Sequence, residues 1–374
     1  MHLNLNFIKS ILKNVPGKSL ENKVVVIECD DWGGIRTPSV NAYNAMLNDG
    51  LKIGTSTYDQ FDTLEDSDDL RATFEVLSRH KDFKGNPAVM SPFINMANPD
   101  FEKIKSSGFK NYQYEVFSET YKRYKRNSDI MSVWNQGVKE GIFIPEYHGR
   151  EHVSVDLWLE TLQSGNESLL KAFDYQFVAL ELEETPEFAK AFRPNFFIRK
   201  LESLPDVRNS LIDGIHLFKE TFGFKPTVFN ATNGVFIDEL NKDLAENQMF
   251  YNAVPRQRLV MNKTGEYRYI TYKSGQISQE GIKYYIRNCN FEPSAPAYKG
   301  IGHTINQIQG AFIAGKPAII STHRVNFNGS LDQKNRKHGI EQLDKLLSEI
   351  LKKWPDVIFL SSRDFVKKFF CQCN

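Results

Sequence analysis

The stretch "VVVIECDDWGG", residues 24–34, runs from an apolar strand directly into two adjacent carboxylates and a pair of glycines. Four β-branched residues in succession are the pattern of a strand buried on both faces, as in a parallel sheet. Asp30 and Asp31 then stand side by side at its carboxyl end. Neighbouring acids repel each other, and glycines leave the backbone open to close approach. Taken alone, the pair reads first as a solvated loop capping the next helix. The rest of the chain reverses that reading.

Working outward, similar short runs recur: "PAVMSPFI" (87–94), "GIFIPEYHG" (141–149), "KPTVFNA" (225–231), residues 250–254, "IKYYIRNCNF" (282–291), "PAIISTH" (317–323) and "VIFLSS" (357–362). Helical patterns separate them, such as "DSDDLRATFEVLSRH" (66–80), "SLIDGIHLFKETFGF" (210–224) and "GIEQLDKLLSEILKKW" (339–354). Six or seven strands alternating with helices predict an α/β protein with a mainly parallel sheet, open or closed into a barrel. The 374 residues suit one large barrel domain over 1–374, with insertions around 51–70 and 110–135 where periodicity is poor.

Apolar and charged fractions of 41% and 25% are ordinary for a globular chain with a substantial core. Lys plus Arg (47) balances Asp plus Glu (46), so no field of one sign supports nucleic-acid binding. The N-terminus mixes Asn, His and Lys among its apolar residues, unlike a secretory signal, and no run approaches a membrane span. Cys29 and Cys289 stand alone, and reduced thiols in a cytoplasmic setting are the expectation. Cys371 and Cys373 could bind metal, but at a frayed end they read as incidental. The cluster "YKRYKRN" (121–127) reads as a solvated helix face. The 28 Phe and 15 Tyr are mostly core, with a sugar-stacking cleft as a secondary use.

Two further strand ends carry chemistry. In "PEYHGREHVS" (145–154), His148 and His152 are four apart, so both imidazoles can point one way from a single helical turn. In "PAIISTHRVNFNGS" (317–330), His323 follows an apolar strand with Arg324 and Asn326 beside it. Barrel enzymes hold their sites at the carboxyl ends of strands. Three histidines and two aspartates arriving there point to a metal site. His303, before a helix, and His216, on a helical face, read as structural or surface residues.

The order Asp-Asp, then H-x-x-x-H, then a lone His after a late strand resembles the polysaccharide deacetylase superfamily (NodB-homology, carbohydrate esterase family 4). The resemblance covers residues 24 to about 362 and implies a distorted (β/α)7 barrel that removes N- or O-acetyl groups from sugars. It implies one divalent metal at Asp31, His148 and His152, with Asp30 as general base and His323 as general acid. Zinc is the default ion, and cobalt, nickel or iron suit the same ligands. The pattern also departs from the family. "ECDDWGG" replaces Thr-Phe-Asp-Asp-Gly, and Gly149 stands where a hydroxyl residue steadies the second motif. "FRPNF" (192–196) mimics the arginine motif, but its surroundings read as helical. The third motif is therefore placed at "PTVFNATNG" (226–234), with Asn233 lining the site and Arg287 as the charge partner of Asp30. Trp32, Arg324 and Asn326 complete the expected supporting or substrate-binding set. A backbone N–H near Trp32 or Asn233 is expected to hold an oxyanion.

An acetylated saccharide is the expected partner, with an amide favoured over an ester. Two rival readings stay open at this point. One is a metal-independent glycoside hydrolase on a related barrel, recruiting Glu28, Glu151 or Glu292. The other is a non-catalytic carbohydrate-binding relative.

Overall fold

A computed structural model describes residues 5–124, 129–189 and 191–371. Part of the basic cluster at 121–127 and the side chains of Cys371 and Cys373 lie outside the described residues. The main sheet contains β1 (Val24–Trp32), β2 (Met90–Asn95), β3 (Glu146–Gly149), β4 (Val228–Phe229), β5 (Tyr251–Val254), β6 (Lys283–Ile286), β7 (Cys289–Asn290), β8 (Ala318–His323) and β9 (Ile358–Phe359). The spatial order is β6-β5-β4-β3-β2-β1-β8-β7, with β9 beside the start of β1. Every pairing in this sheet is parallel.

The two ends of that order are consecutive in the chain. "IKYYIRNCNF" was expected to form one strand, and it changes partner halfway. The N–H of Arg287 still donates to Val254, the last residue of β5, while that of Asn288 donates to Ile319 in β8. One extended segment therefore joins the two ends of the sheet, giving a mixed α/β architecture with a curled parallel sheet compatible with a (β/α) barrel.

Alternation along β1 divides its side chains between two cores. Val24 and Val26 join Phe93, Val228, Ala253, Tyr285 and Ile319, from β2, β4, β5, β6 and β8 respectively, inside the curl. Val25, Ile27 and Cys29 join Met90, Ile94, Phe229, Val254 and Ile320 under the surrounding helices. Both faces of β1 are buried along its whole length, as its unbroken apolar run predicts. The helices that matter below are α1 (Leu5–Asn14), α2 (Ser67–Arg79), α3 (Leu204–Phe222), α4 (Ile301–Ile313), α5 (Gln333–Lys353) and α6 (Ser362–Cys371). Sequence periodicity did not anticipate α6, whose Phe365, Val366 and Phe369 pack into the inner core. A reciprocal cap starts α2: Asp66 accepts from the Asp69 N–H, and Asp69 accepts from the Asp66 N–H. Small sheets at Ala97–Pro99 with Tyr114–Val116, and at Val235–Ile237, Gln257–Met261 and Tyr267–Thr271, interrupt the alternation. Among the described residues no helix is long and apolar enough to cross a membrane.

Two buried acids give the fold a pH dependence. Glu146 accepts from the Thr227 and Val228 N–H groups at 2.6 and 2.8 Å and from Arg363 Nε at 3.3 Å. Burial outweighs these bonds and pushes its pKa up to about 7. Asp69 is raised to about 7 as well, by burial and by the charge of Asp66. The native state thus keeps protons that the unfolded chain has already lost. The associated stability is complete below about pH 4.5 and is lost as pH rises through about 7, on the order of 3 kcal/mol for Glu146. Glu146→Gln should flatten the fall in unfolding free energy between pH 5 and 8, leaving the part due to Asp69. Urea midpoints at the two pH values measure this, and an unchanged fall in the variant would show that Glu146 does not titrate there.

Candidate metal and catalytic site

Adjacent residues on a regular strand face opposite sides, so two neighbouring acids would not normally serve one site. β1 breaks that rule at its end. Its pairing with β2 slips between Cys29 and Trp32, and Asp31 takes φ 75°. A bulge re-aims side chains, and Asp enters the left-handed region more readily than most residues. Gly33 follows at φ 73°, where a Cβ would lie 2.5 Å from the Asn95 carbonyl oxygen, so only glycine fits. The two carboxylates thereby reach different partners in one site.

Asp31 meets the paired histidines. Its Oδ1 lies 3.4 Å from His148 Nε2 and 3.0 Å from His152 Nε2. The opposite nitrogen of each ring is committed to a backbone carbonyl: His148 Nδ1 donates to Asn230 O and His152 Nδ1 to Arg193 O, both at 2.7 Å. That fixes the tautomers and leaves both Nε2 lone pairs aimed at the carboxylate. The two partners pull in opposite directions. Burial lowers the His152 pKa to about 3, helped by the Arg193 charge, whereas imidazole charge and hydrogen bonds outweigh burial to depress Asp31. A neutral imidazole beside an ionised carboxylate is the consistent state, because Nδ1–H already serves Arg193 O and the Arg193 side chain opposes further positive charge. Ligand atoms of three buried residues then lie within 4.8 Å of one another, an arrangement that suits a divalent cation. The donor set fits such an ion.

Asp30 belongs to a separate network. Its Oδ2 accepts from Arg287 Nη1 at 2.6 Å and from Asn230 Nδ2 at 3.1 Å, while its buried Oδ1 has no partner. Burial opposes the charge, yet Arg287, joined by His148 and His323, outweighs it and holds the carboxyl below the usual range. The guanidinium is positioned in turn by Glu28, with Nε 3.1 Å from Oε2. Glu28 accepts from the Tyr285 hydroxyl and from Ser362 Oγ.

Across from Asp30, His323 Nε2 lies 3.8 Å from its Oδ2. Glu292 accepts from His323 Nδ1 at 2.6 Å and, through its other oxygen, from Asn326 Nδ2 at 2.7 Å. Burial favours the neutral ring, but Glu292 reverses this and holds the His323 pKa at about 10. The ring packs edge-on to Tyr58 and remains partly open to solvent. Asp30, His323, Asn233, Asn230 and Arg287 line a cavity of about 410 Å³ at the carboxyl ends of the strands.

Arg324 and Asn326 lie behind the cavity rather than in it. Arg324 is fully buried between Asp62 (2.9 Å) and Glu65 (2.7 Å). Glu65 also accepts from the Gly33 N–H at 3.0 Å, linking this ion-pair cluster to the bulge of β1. Residues 51–70, read as an insertion, supply these carboxylates and Tyr58.

Two expectations need correction. The Trp32 side chain is no substrate platform: it is fully buried, edge-on to Trp134 and Phe143 in the outer core. The bulge that turns Asp31 toward the site leaves the indole packed behind it. "FRPNF" is not helical either, since it follows a turn with Phe192 at φ 54°. Instead it packs against the paired histidines, with the Arg193 carbonyl orienting His152 and the buried Arg193 side chain lowered to about 10 by burial and by Arg36. Asn195 also explains Gly149, where a Cβ would sit 2.3 Å from Asn195 Nδ2. That amide occupies the space a hydroxyl side chain would need. Asn230 and the role of Glu292 were missed, as was any part for Arg193. Glu28 and Glu151 serve buried ion pairs, with Arg287 and Arg150 respectively. His216 is exposed on α3, whereas His303 lines a second cavity.

No family model and no curated protein matches the sequence. Among solved structures, the chain superposes on a Mycobacterium smegmatis protein provisionally described as a polysaccharide deacetylase, at 11% identity and TM-score 0.45, covering 96% of this chain and 95% of that one. A Parabacteroides distasonis protein, provisionally described as a glycoside hydrolase/deacetylase, superposes at 10% identity and TM-score 0.48, over 96% and 74% of the two chains. A family 4 acetyl xylan esterase from Clostridium thermocellum, in complex with a cobalt ion, gives 11% identity and TM-score 0.36, over 92% and 91%.

Proposed function

We propose that this chain is a metal-dependent hydrolase that removes an acetyl group from a sugar, acting on an amide in preference to an ester. Its fold is read as a distorted (β/α)7 barrel, with β6 and β7 counted as one strand and β9 outside the seven, and residues 1–374 as one domain. The observation that carries the reading is the convergence of two imidazole lone pairs and a carboxylate oxygen, with their tautomers already set. Asp31, His148 and His152 are the proposed ligands, zinc being the default ion. When bound there, a divalent cation supplies Lewis-acid chemistry, polarising a carbonyl and acidifying water.

The chain's own residues divide the remaining work. Asp30 is ionised and keeps one oxygen free, so it accepts the proton of the attacking water. Arg287 and Asn230 hold its other oxygen and prevent the carboxylate from turning away. His323 carries a proton at neutral pH because of Glu292, and delivers it to the departing amine or alkoxide. Asn326 keeps Glu292 in place. Asn233, at the cavity wall, is the proposed contact to substrate.

Acetate release from N-acetylated and O-acetylated saccharides tests the proposal directly. Activity should vanish after chelation and return on adding zinc or cobalt, with amide substrates preferred. Undiminished turnover in chelator would exclude a metal hydrolase, and a strict preference for O-acetyl substrates would reverse the bond assignment.

A further inference from the structure

Beside the catalytic cavity lies a larger one, of about 630 Å³, between α1, the start of α4 and the loops that follow β5 and β6. Arg287, Asn288 and Gln307 line both, so the two cavities share a wall. Its lining is unusual in charge. Lys9, Lys13, Arg256, Lys299 and His303 contribute to it, and no carboxylate does. The whole chain is nearly neutral, with 47 basic and 46 acidic side chains, so composition does not account for this segregation.

Four of these cations also have no carboxylate partner among the described residues. Twenty-eight ion pairs are found among the described residues, and none of them involves Lys9, Lys13, Arg256 or Lys299. Arg256 is braced by its bond to the Lys13 carbonyl at 2.6 Å, which holds the guanidinium beside the end of α1. α4 opens onto the same space with Gly300 as its N-cap and no side-chain cap, leaving first-turn N–H groups available. A thirteen-residue helix directs a partial positive charge there. Cations that line one cavity with no carboxylate among the lining residues give it a positive potential that draws in an anion.

We propose that the sugar substrate is a phosphate ester, and that its phosphate or diphosphate group binds in this cavity while the acetyl group faces Asp30 and His323. The inference rests on the reading of the adjacent site as the acetyl-hydrolysing centre. Several cations and helix amides together suit a multiply charged anion better than a single carboxylate. The volume holds a diphosphate with the first part of whatever carries it. A nucleotide-linked and a lipid-linked sugar share this chemistry.

Calorimetric titration of chelator-treated protein with inorganic pyrophosphate tests the proposal without any turnover. Wild type should bind with strong salt dependence, and the Lys13→Ala/Lys299→Ala double variant at least about tenfold more weakly, removing two charge-assisted contacts. Asp31→Asn should bind like wild type, which excludes capture of pyrophosphate by residual metal. UDP binding more tightly than pyrophosphate would support a nucleotide carrier, and geranyl diphosphate doing so would support a lipid carrier. Equal binding of all three would support recognition of the diphosphate alone. No detectable pyrophosphate binding, or equal binding by wild type and the double variant with unchanged melting temperature, would overturn the proposal. Metal-dependent acetate release from a neutral saccharide would survive that result, so the two readings fail separately.

Discussion

Replacing either paired histidine, as His148→Ala or His152→Ala, should leave a folded protein that holds no stoichiometric divalent ion and releases no acetate above background. Each ring is one of the three proposed donors, and the described residues hold no other such group to take its place. Perturbing an outer partner of a metal ligand already costs about 10- to 100-fold in affinity or activity, and deleting the ligand itself should cost more. The variants differ in their secondary effects. His148→Ala frees the Asn230 carbonyl, on the residue whose amide holds Asp30, whereas His152→Ala frees the Arg193 carbonyl. Elemental analysis with circular dichroism separates ligand loss from unfolding. Equal metal in wild type and both variants would remove the assignment.

The parts of this site that could be read in advance are those written into single strands. Asp30 with Asp31, His148 with His152, and His323 each follow an apolar run, and strand ends converge in a parallel sheet. Arg287 was found for a similar reason, because "YYIRNCNF" already read as a strand. Its switch of partner from β5 to β8 was not visible, since hydrogen-bond partners leave no trace in a strand's own residues. Glu292 presents the same difficulty: it becomes the partner of His323 only when β7 pairs with β8. The surroundings of "FRPNF" read as helical, and that hid its place beside His152. Phe192 at φ 54° breaks that helical pattern, and local propensity gives little warning of a non-glycine residue in that region. Trp32 erred the other way. Its neighbours made it look like part of the site, but the bulge that serves Asp31 returns the next side chain to the core.

The remaining large effect concerns the proton route between Asp30 and His323. Asp30→Asn should reduce turnover by about 10² to 10⁴, the usual contribution of a positioned base, and His323→Gln should do so as its acid counterpart. Neither residue is a proposed ligand, so both variants should keep their metal. Their dependence on the leaving group should separate them. A sugar amine or alkoxide needs a proton as it departs, whereas an activated aryl ester leaves as a stable phenolate. His323→Gln should therefore spare an activated ester that Asp30→Asn does not. Glu292 supplies an independent check through pH. As the proposed general acid His323 must be protonated, so activity should fall on the alkaline side as it titrates, and Glu292 holds its pKa up at about 10. Glu292→Gln removes the stabilising charge, lowers that pKa and should move the alkaline limb to lower pH. The acid limb should stay in place, because Arg287 and not Glu292 is what holds Asp30 below the ordinary carboxylate range. An alkaline limb unmoved by Glu292→Gln, or equal losses on both leaving groups in His323→Gln, would mean that another residue delivers the proton.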